Sequence, residues 1–245
     1  RGLEMAVDIV DFVAGFDFPD QVMDYEFVAT GHPTEYPILG TRIVSDRGLD
    51  IDVSAFTDHI QEQQVEHSTA LHARLLERGE YLVGPMARFG LNRERLHSAA
   101  LAAAGRAGLG SECRNPFQSI VVRAVEVVHA FETALTVIDR YQRPAQPSVD
   151  TSPRAGVGHG VSEAPRGLLY HRYGLDDDGL IDDALIIPPT SQNQATIEHD
   201  LWHFVEQHLD LEDDELRRQA EVTIRNHDPC ISCATHFLDL TVVRR

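Results

Sequence analysis

The sequence predicts a mainly α fold with small β elements, an α+β chain built around a helical-bundle core. Three observations carry that expectation. NPFQSIVVRAVEVVHAFETALTVIDRYQRP (115–144) is apolar on most faces, as a helix buried among others must be. Two further helical runs fill 190–227, and the strand-like stretches elsewhere are short and broken by Gly, Pro and Asp.

In chain order, LEMAVDIVDFVAGF (3–16) has apolar residues at helical spacing that stop near Gly15. MDYEFVATG (23–31) and ILGTRIVSDRGLDIDV (38–53) read as strands. From Ser54 to about Glu77 the pattern is polar and helical, EYLVGPMARF (80–89) is a short strand, and LNRERLHSAALAAAG (91–105) is another helix. In the long central helix Asn115 suits the cap, Pro116 the first turn, and Pro144 the stop. RPAQPSVDTSPRAGVGHGVS (143–162) is rich in Pro, Gly and Ser and is expected to pack as an irregular segment rather than form a loose linker. RGLLYHRYGLDDDGLIDDALIIPP (166–189) reads as two strands around an exposed DDDG turn. The runs from Thr190 and from Asp210 are two helices, each expected to carry acidic residues near its start. No internal repeat is present.

With 245 residues, 42% of them hydrophobic, the chain is long enough to bury a sizeable core without covalent staples. Three cysteines, Cys113, Cys230 and Cys233, cannot build a disulfide framework, which favours a reducing, cytoplasmic setting. The net charge of −18 repels phosphate backbones and anionic membrane surfaces, so nucleic acid is not an expected partner. No run approaches the ~18 apolar residues of a membrane span. The sequence opens at Arg1 with an amphipathic pattern already under way, as if joined in mid-chain.

The chemistry concentrates in HDPCISCATHFLDLTVVRR (227–245), where Cys230, Cys233 and His236 follow one another at a spacing of three. A C-x-x-C pair can turn two thiolates toward one soft metal ion. By itself it is a weak signal: a closed zinc site needs four ligands and no second pair stands at zinc-finger distance, while a thioredoxin-type pair would head a helix in a βαβ unit.

The combination is more specific. EAPRGLLYH, IPPTSQNQ and DPCISCATH, three separate motifs in this order, resemble the C-terminal part of the [NiFe]-hydrogenase large subunit, and the resemblance covers essentially the whole chain. NPFQSIVVRAVEVVHAF and YLVGPMARFGLN are closer to the cytosolic NAD(P)-linked or sulfhydrogenase-like branch. The resemblance implies reversible cleavage of H2 into protons and electrons at a Ni–Fe centre whose iron carries CN and CO. Four cysteine thiolates hold that centre in the family, and this chain matches only the C-terminal pair. Cys230 would then be a terminal nickel ligand and Cys233 a bridge to iron. Arg166 would place its guanidinium over the open side of the centre, Asp228 would pair with it, and Thr190 would donate to a cyanide, with Pro165 and Pro189 lining the pocket. His236 would help bind a separate Mg ion. The implied partners are an iron–sulfur small subunit holding the clusters, NAD(P)/flavin diaphorase-type subunits, and a maturation endopeptidase that removes a C-terminal propeptide, here 237–245. The first cysteine pair would belong to an N-terminal part that this sequence lacks.

The rival readings are a metal-free relative, such as the homologues within respiratory complex I, and a zinc-binding interaction module. Cys230, Cys233, Arg166 and Asp228 together argue against the first. Outside the motifs, Arg166 would pass for a surface arginine and Thr190 for a helix cap. Cys113 is assigned no role, His129, His171, His199, His203 and His208 read as helix-face residues, and the DDDG and DLEDDE runs as solvated charges.

Overall fold

The computed structural model describes residues 1–149, 151–230, 241 and 243. One layer is helical. Helices α1 (Gly2–Ala14), α3 (Pro85–Asn92), α4 (Ser98–Arg106) and α5 (Ser119–Asp139) share a core that includes Val10, Phe89, Ala100, Val122, Val125 and Val128. The fully buried Ala100, Ala103 and Ala104 let α4 lie close against its neighbours. Its orphan amides are capped by α5: Glu132 accepts from the backbone N–H groups of Ala99 and Ala100, and His129 Nδ1 from that of His97. His129 lies on a helix, as expected, where it is a buried capping acceptor. Asn115 caps the turn that leads into α5, its side chain accepting from Phe117 N–H.

The second layer is antiparallel sheet. Strands β1 (Val28–Gly31), β3 (Arg42–Ser45) and β4 (Asp50–Asp52) form one sheet. Strands β2 (Leu39–Gly40), β7 (Gly156–Ala164), β8 (Gly167–Leu175) and β9 (Ile181–Ile187) form a second, in the order β2-β7-β8-β9. The expected DDDG hairpin is the β8–β9 pair. Helix outweighs strand, 42% to 22%, so the fold is mixed, and the nine-residue β7 and β8 make the sheet larger than the short elements expected.

Three local expectations are corrected. Residues 54–77 are not one helix: a single turn, α2 (Phe56–His59), is followed by the hairpin β5 (Ile60–Gln64) and β6 (Leu71–Leu75). Pairing across the hairpin buries Ile60, Ala73 and Leu75 with Phe56, which itself stacks on Tyr170 at 4.1 Å. That partner lies about a hundred residues away, beyond any local periodicity. The described residues of 143–155 are exposed and form no regular element, and GVGHGVS is strand, as part of β7. The short strand expected at 80–89 survives as a bridge between Leu82 and Phe27, after which Gly84 opens α3.

Helices α6 (Pro189–Gln207) and α7 (Asp213–Arg225) complete the chain before the cysteine motif. Acidic residues start α7 but not α6, whose first turn is neutral and buried. That turn docks by polar side chains on the segment 81–83. Leu82 bonds through both backbone groups to residues 26 and 28, leaving its neighbours' polar groups facing the other way. Asn193 there accepts from Val83 N–H at 2.8 Å and donates to Val83 C=O at 3.1 Å, and Thr196 donates to Tyr81 C=O at 2.8 Å. The side chains satisfy backbone groups that burial would otherwise orphan.

Candidate metal centre

Arg166 stands at the tip of the β7–β8 hairpin, where Ala164 pairs with Gly167 and only Pro165 and Arg166 make the turn. The turn is pressed against the chain entering α3. A Cβ on Gly84 would lie 2.6 Å from the Arg166 carbonyl oxygen, and one on Gly167 2.7 Å from Gly84 N, while φ is +109° and +133° at the two residues. Only glycine fits either side of this crossing.

Arg88 of α3 fixes the hairpin from below. Its guanidinium pairs with both oxygens of Glu126 at 2.7 Å and with Glu163 at 3.2 Å, and donates to the carbonyls of Ala164 and Pro165. Burial pulls the Arg88 pKa down, but the two carboxylates override it and hold the group charged. Glu163, with a side chain 1% exposed, also accepts from Thr30 N–H at 2.7 Å. Burial still pushes its pKa above the ordinary carboxylate value against the opposing Arg88 charge.

The segment leaving α7 is tethered at almost every residue. The Asn226 carbonyl accepts from Ser119 Oγ at 2.6 Å and from Arg123 at 3.2 Å, both on α5. His227 Nε2 meets the fully buried Asp200 of α6 at 2.8 Å, and Tyr25 O–H donates to the same carboxylate oxygen. Burial, reinforced by Asp200, drives the Tyr25 phenol far above its usual range, so it remains a donor. Asp228 adopts φ +48°, a left-handed conformation Asp tolerates better than most residues. Its carbonyl accepts from Arg166 Nε at 2.5 Å, and its carboxylate lies 3.6 Å from the same nitrogen. Cys230 N–H then donates to Thr190 Oγ1 at 3.4 Å in the first turn of α6.

Arg166, Thr190, Asp228 and Cys230 are therefore brought together from three parts of the chain. Thr190 is buried, and a hydroxyl that accepts from Cys230 retains its proton for donation to another group. Pro189 is buried beside it, whereas Pro165 is exposed. Cys233, His236 and all but Thr241 and Val243 of 237–245 lie outside the described residues. A half-buried soft donor, a permanently charged fork and a hydroxyl donor form the set that a thiolate-held metal with anionic ligands requires, so the described residues fit one side of such a centre. Cys113, in contrast, is buried under the Asn115 carbonyl, and burial pushes its thiol up to about 11. Of the positioning residues, Arg88, Glu163, Ser119, Arg123 and His227 lie inside the stretches quoted above but were given no role there, and Asp200 lies outside them.

Residues 79–236 match the profile of the nickel-dependent hydrogenases. The chain belongs to that family. It is 32% identical over 209 residues to the sulfhydrogenase 1 subunit alpha of Pyrococcus furiosus, covering 84% of this chain and 48% of that one. It is 30% identical over 202 residues to the NAD-reducing hydrogenase HoxS subunit beta of Cupriavidus necator, covering 77% and 41%. Among solved structures, an NAD+-reducing [NiFe]-hydrogenase in the H2-reduced state superimposes with a TM-score of 0.77 at 26% identity, over 96% of this chain and 56% of that one. A [NiFeSe]-hydrogenase of Dm. baculatum, at 17% identity and a TM-score of 0.63, shares the fold. This hydrogenase chain thus spans about half the length, or less, of the curated relatives it matches.

Proposed function

We propose that residues 1–245 are the C-terminal portion of a [NiFe]-hydrogenase large subunit and supply half of its Ni–Fe centre, for the reversible cleavage of H2 into protons and electrons. The observation that carries this reading is the tethering of 226–230, which sets Cys230 beside Thr190 and holds Asp228 against Arg166. Cys230 and Cys233 would hold the metals, and the Arg166 guanidinium and Thr190 hydroxyl would face the anionic ligands of iron. When bound, the centre supplies a pair of metals able to draw electrons from H2. The chain's own part is to orient the thiolates, keep the arginine fork fixed through Asp228, and bury the Thr190 side so that water is excluded.

The helical layer around α5 is this chain's share of the large-subunit helical bundle. An iron–sulfur partner subunit would carry electrons out and an NAD(P)-linked diaphorase would accept them; similarity to an NAD-reducing hydrogenase subunit and to an NAD+-reducing [NiFe]-hydrogenase structure favours that reading. His236 would contribute to a Mg site, and 237–245 would be a propeptide removed by an endopeptidase. No described helix is long and apolar enough to cross a membrane, and the acidic charge suits a cytoplasmic complex. Arg166→Lys in the complete subunit tests the reading. Metals should remain bound while H2-dependent dye reduction falls on the order of 10²-fold, since a point charge cannot replace a preorganised fork. Unchanged turnover would remove Arg166 from the site.

A further inference from the structure

We infer that His67, His72 and Glu198 form a second metal site, for a zinc-class divalent transition ion, which ties the β5–β6 hairpin to α6. His67 lies in the hairpin loop, His72 on β6 and Glu198 on α6. His67 Nε2 is 3.0 and 3.1 Å from the two Glu198 oxygens, and His72 Nε2 is 3.4 Å from Glu198 Oε1. All three donor atoms lie within 4.8 Å of one another. Metal–donor bonds of about 2.0–2.2 Å in a tetrahedral site separate neighbouring donors by roughly 3.3–3.6 Å, close to the separation of each imidazole from Glu198.

The second observation is His72 itself. Its side chain is 2% exposed, and its Nε2 has no hydrogen-bond partner although it faces the carboxylate. A buried ring nitrogen left this way carries an uncompensated desolvation cost. A cation between it and Glu198 removes the deficit. Burial, against the opposing Glu198 charge, lowers the His72 pKa and so favours the neutral, ligand-competent imidazole. Two imidazoles and one carboxylate suit Zn2+ and its neighbours over the oxygen-seeking Mg2+ and Ca2+. His67 is exposed, which leaves an open side for water as a fourth ligand. The site shares no residue with the Cys230 cluster and does not depend on the hydrogenase reading.

Cobalt titration of the full chain tests it, since Co2+ reports its ligands by colour. The expected result includes one equivalent, separate from any held by the Cys230 segment, with ligand-field bands but no thiolate charge-transfer band, retained through gel filtration. His67→Ala, an exposed loop change, and Glu198→Gln should each remove that equivalent with the far-UV spectrum unchanged. Cys230→Ser should leave it in place. Retention of full stoichiometry in His67→Ala and Glu198→Gln, or loss of all bound cobalt in Cys230→Ser, would overturn the assignment.

Discussion

Replacing Arg88 with methionine removes the guanidinium that bridges Glu126 and Glu163 while keeping most of the side-chain volume. The Arg88, Glu126 and Glu163 side chains are 7%, 16% and 1% exposed, so water cannot take over the lost charge at Glu163. Breaking a buried pair by removing one partner costs about 3–5 kcal/mol. Glu163 keeps Thr30 N–H, and Glu126 keeps the Tyr36 hydroxyl at 2.6 Å, which sets the expected loss at the lower end, about 3 kcal/mol. At about 2–4 °C per kcal/mol for a chain of this size, the midpoint should fall by roughly 6–12 °C. The pH dependence has a definite sign. Glu163 has a folded-state pKa already raised by burial, so its contribution to stability is present below the unfolded value and lost as pH rises through the folded one. Without Arg88 the folded value climbs further, so the deficit of the variant is largest near neutrality and shrinks on acidification. Urea unfolding followed by far-UV circular dichroism at neutral and mildly acidic pH measures both. A deficit below about 1 kcal/mol, the range of an exposed pair, or one that does not shrink in acid, would refute the reasoning.

Asn193→Ala should cost about 1–3 kcal/mol in thermal or urea unfolding, because Val83 N–H is left buried without its acceptor; an unchanged midpoint would show that α6 docks by other means. For the C-terminus, intact-mass analysis of active large subunit from its native source should show a chain ending at His236. Active protein that still carried FLDLTVVRR would exclude 237–245 as a propeptide.

Helices α1, α4, α5, α6 and α7 were legible because their determinants are local: apolar periodicity, Gly15 after the first helix, Asn115 and Pro116 before the central one. The β5–β6 hairpin was not. Phe56, Ile60, Leu71 and Leu75 mimic helical spacing, and packing against distant residues, Tyr170 among them, selects the extended form. The same division holds at the site. Arg166, Thr190, Asp228 and Cys230 stand within short motifs and could be picked out by resemblance. The roles of the groups that hold them could not be read even where the residues stand in quoted stretches, since Arg88 reaches Glu163 across 75 positions and Ser119 reaches Asn226 across 107. The His67 and His72 pair was hidden by the helical reading of its segment, which placed the two rings on different faces.

Nickel content of the complete subunit carrying Cys230→Ala tests the central claim most directly. Thr190 and Arg166 anchor residues 228–230 through backbone groups, so the variant keeps its local fold and loses only the thiolate. Metal analysis of the purified protein should find stoichiometric nickel in the wild-type subunit and none in the variant, with an unchanged far-UV spectrum. Full nickel occupancy in Cys230→Ala would contradict the placement of the metal centre at this segment.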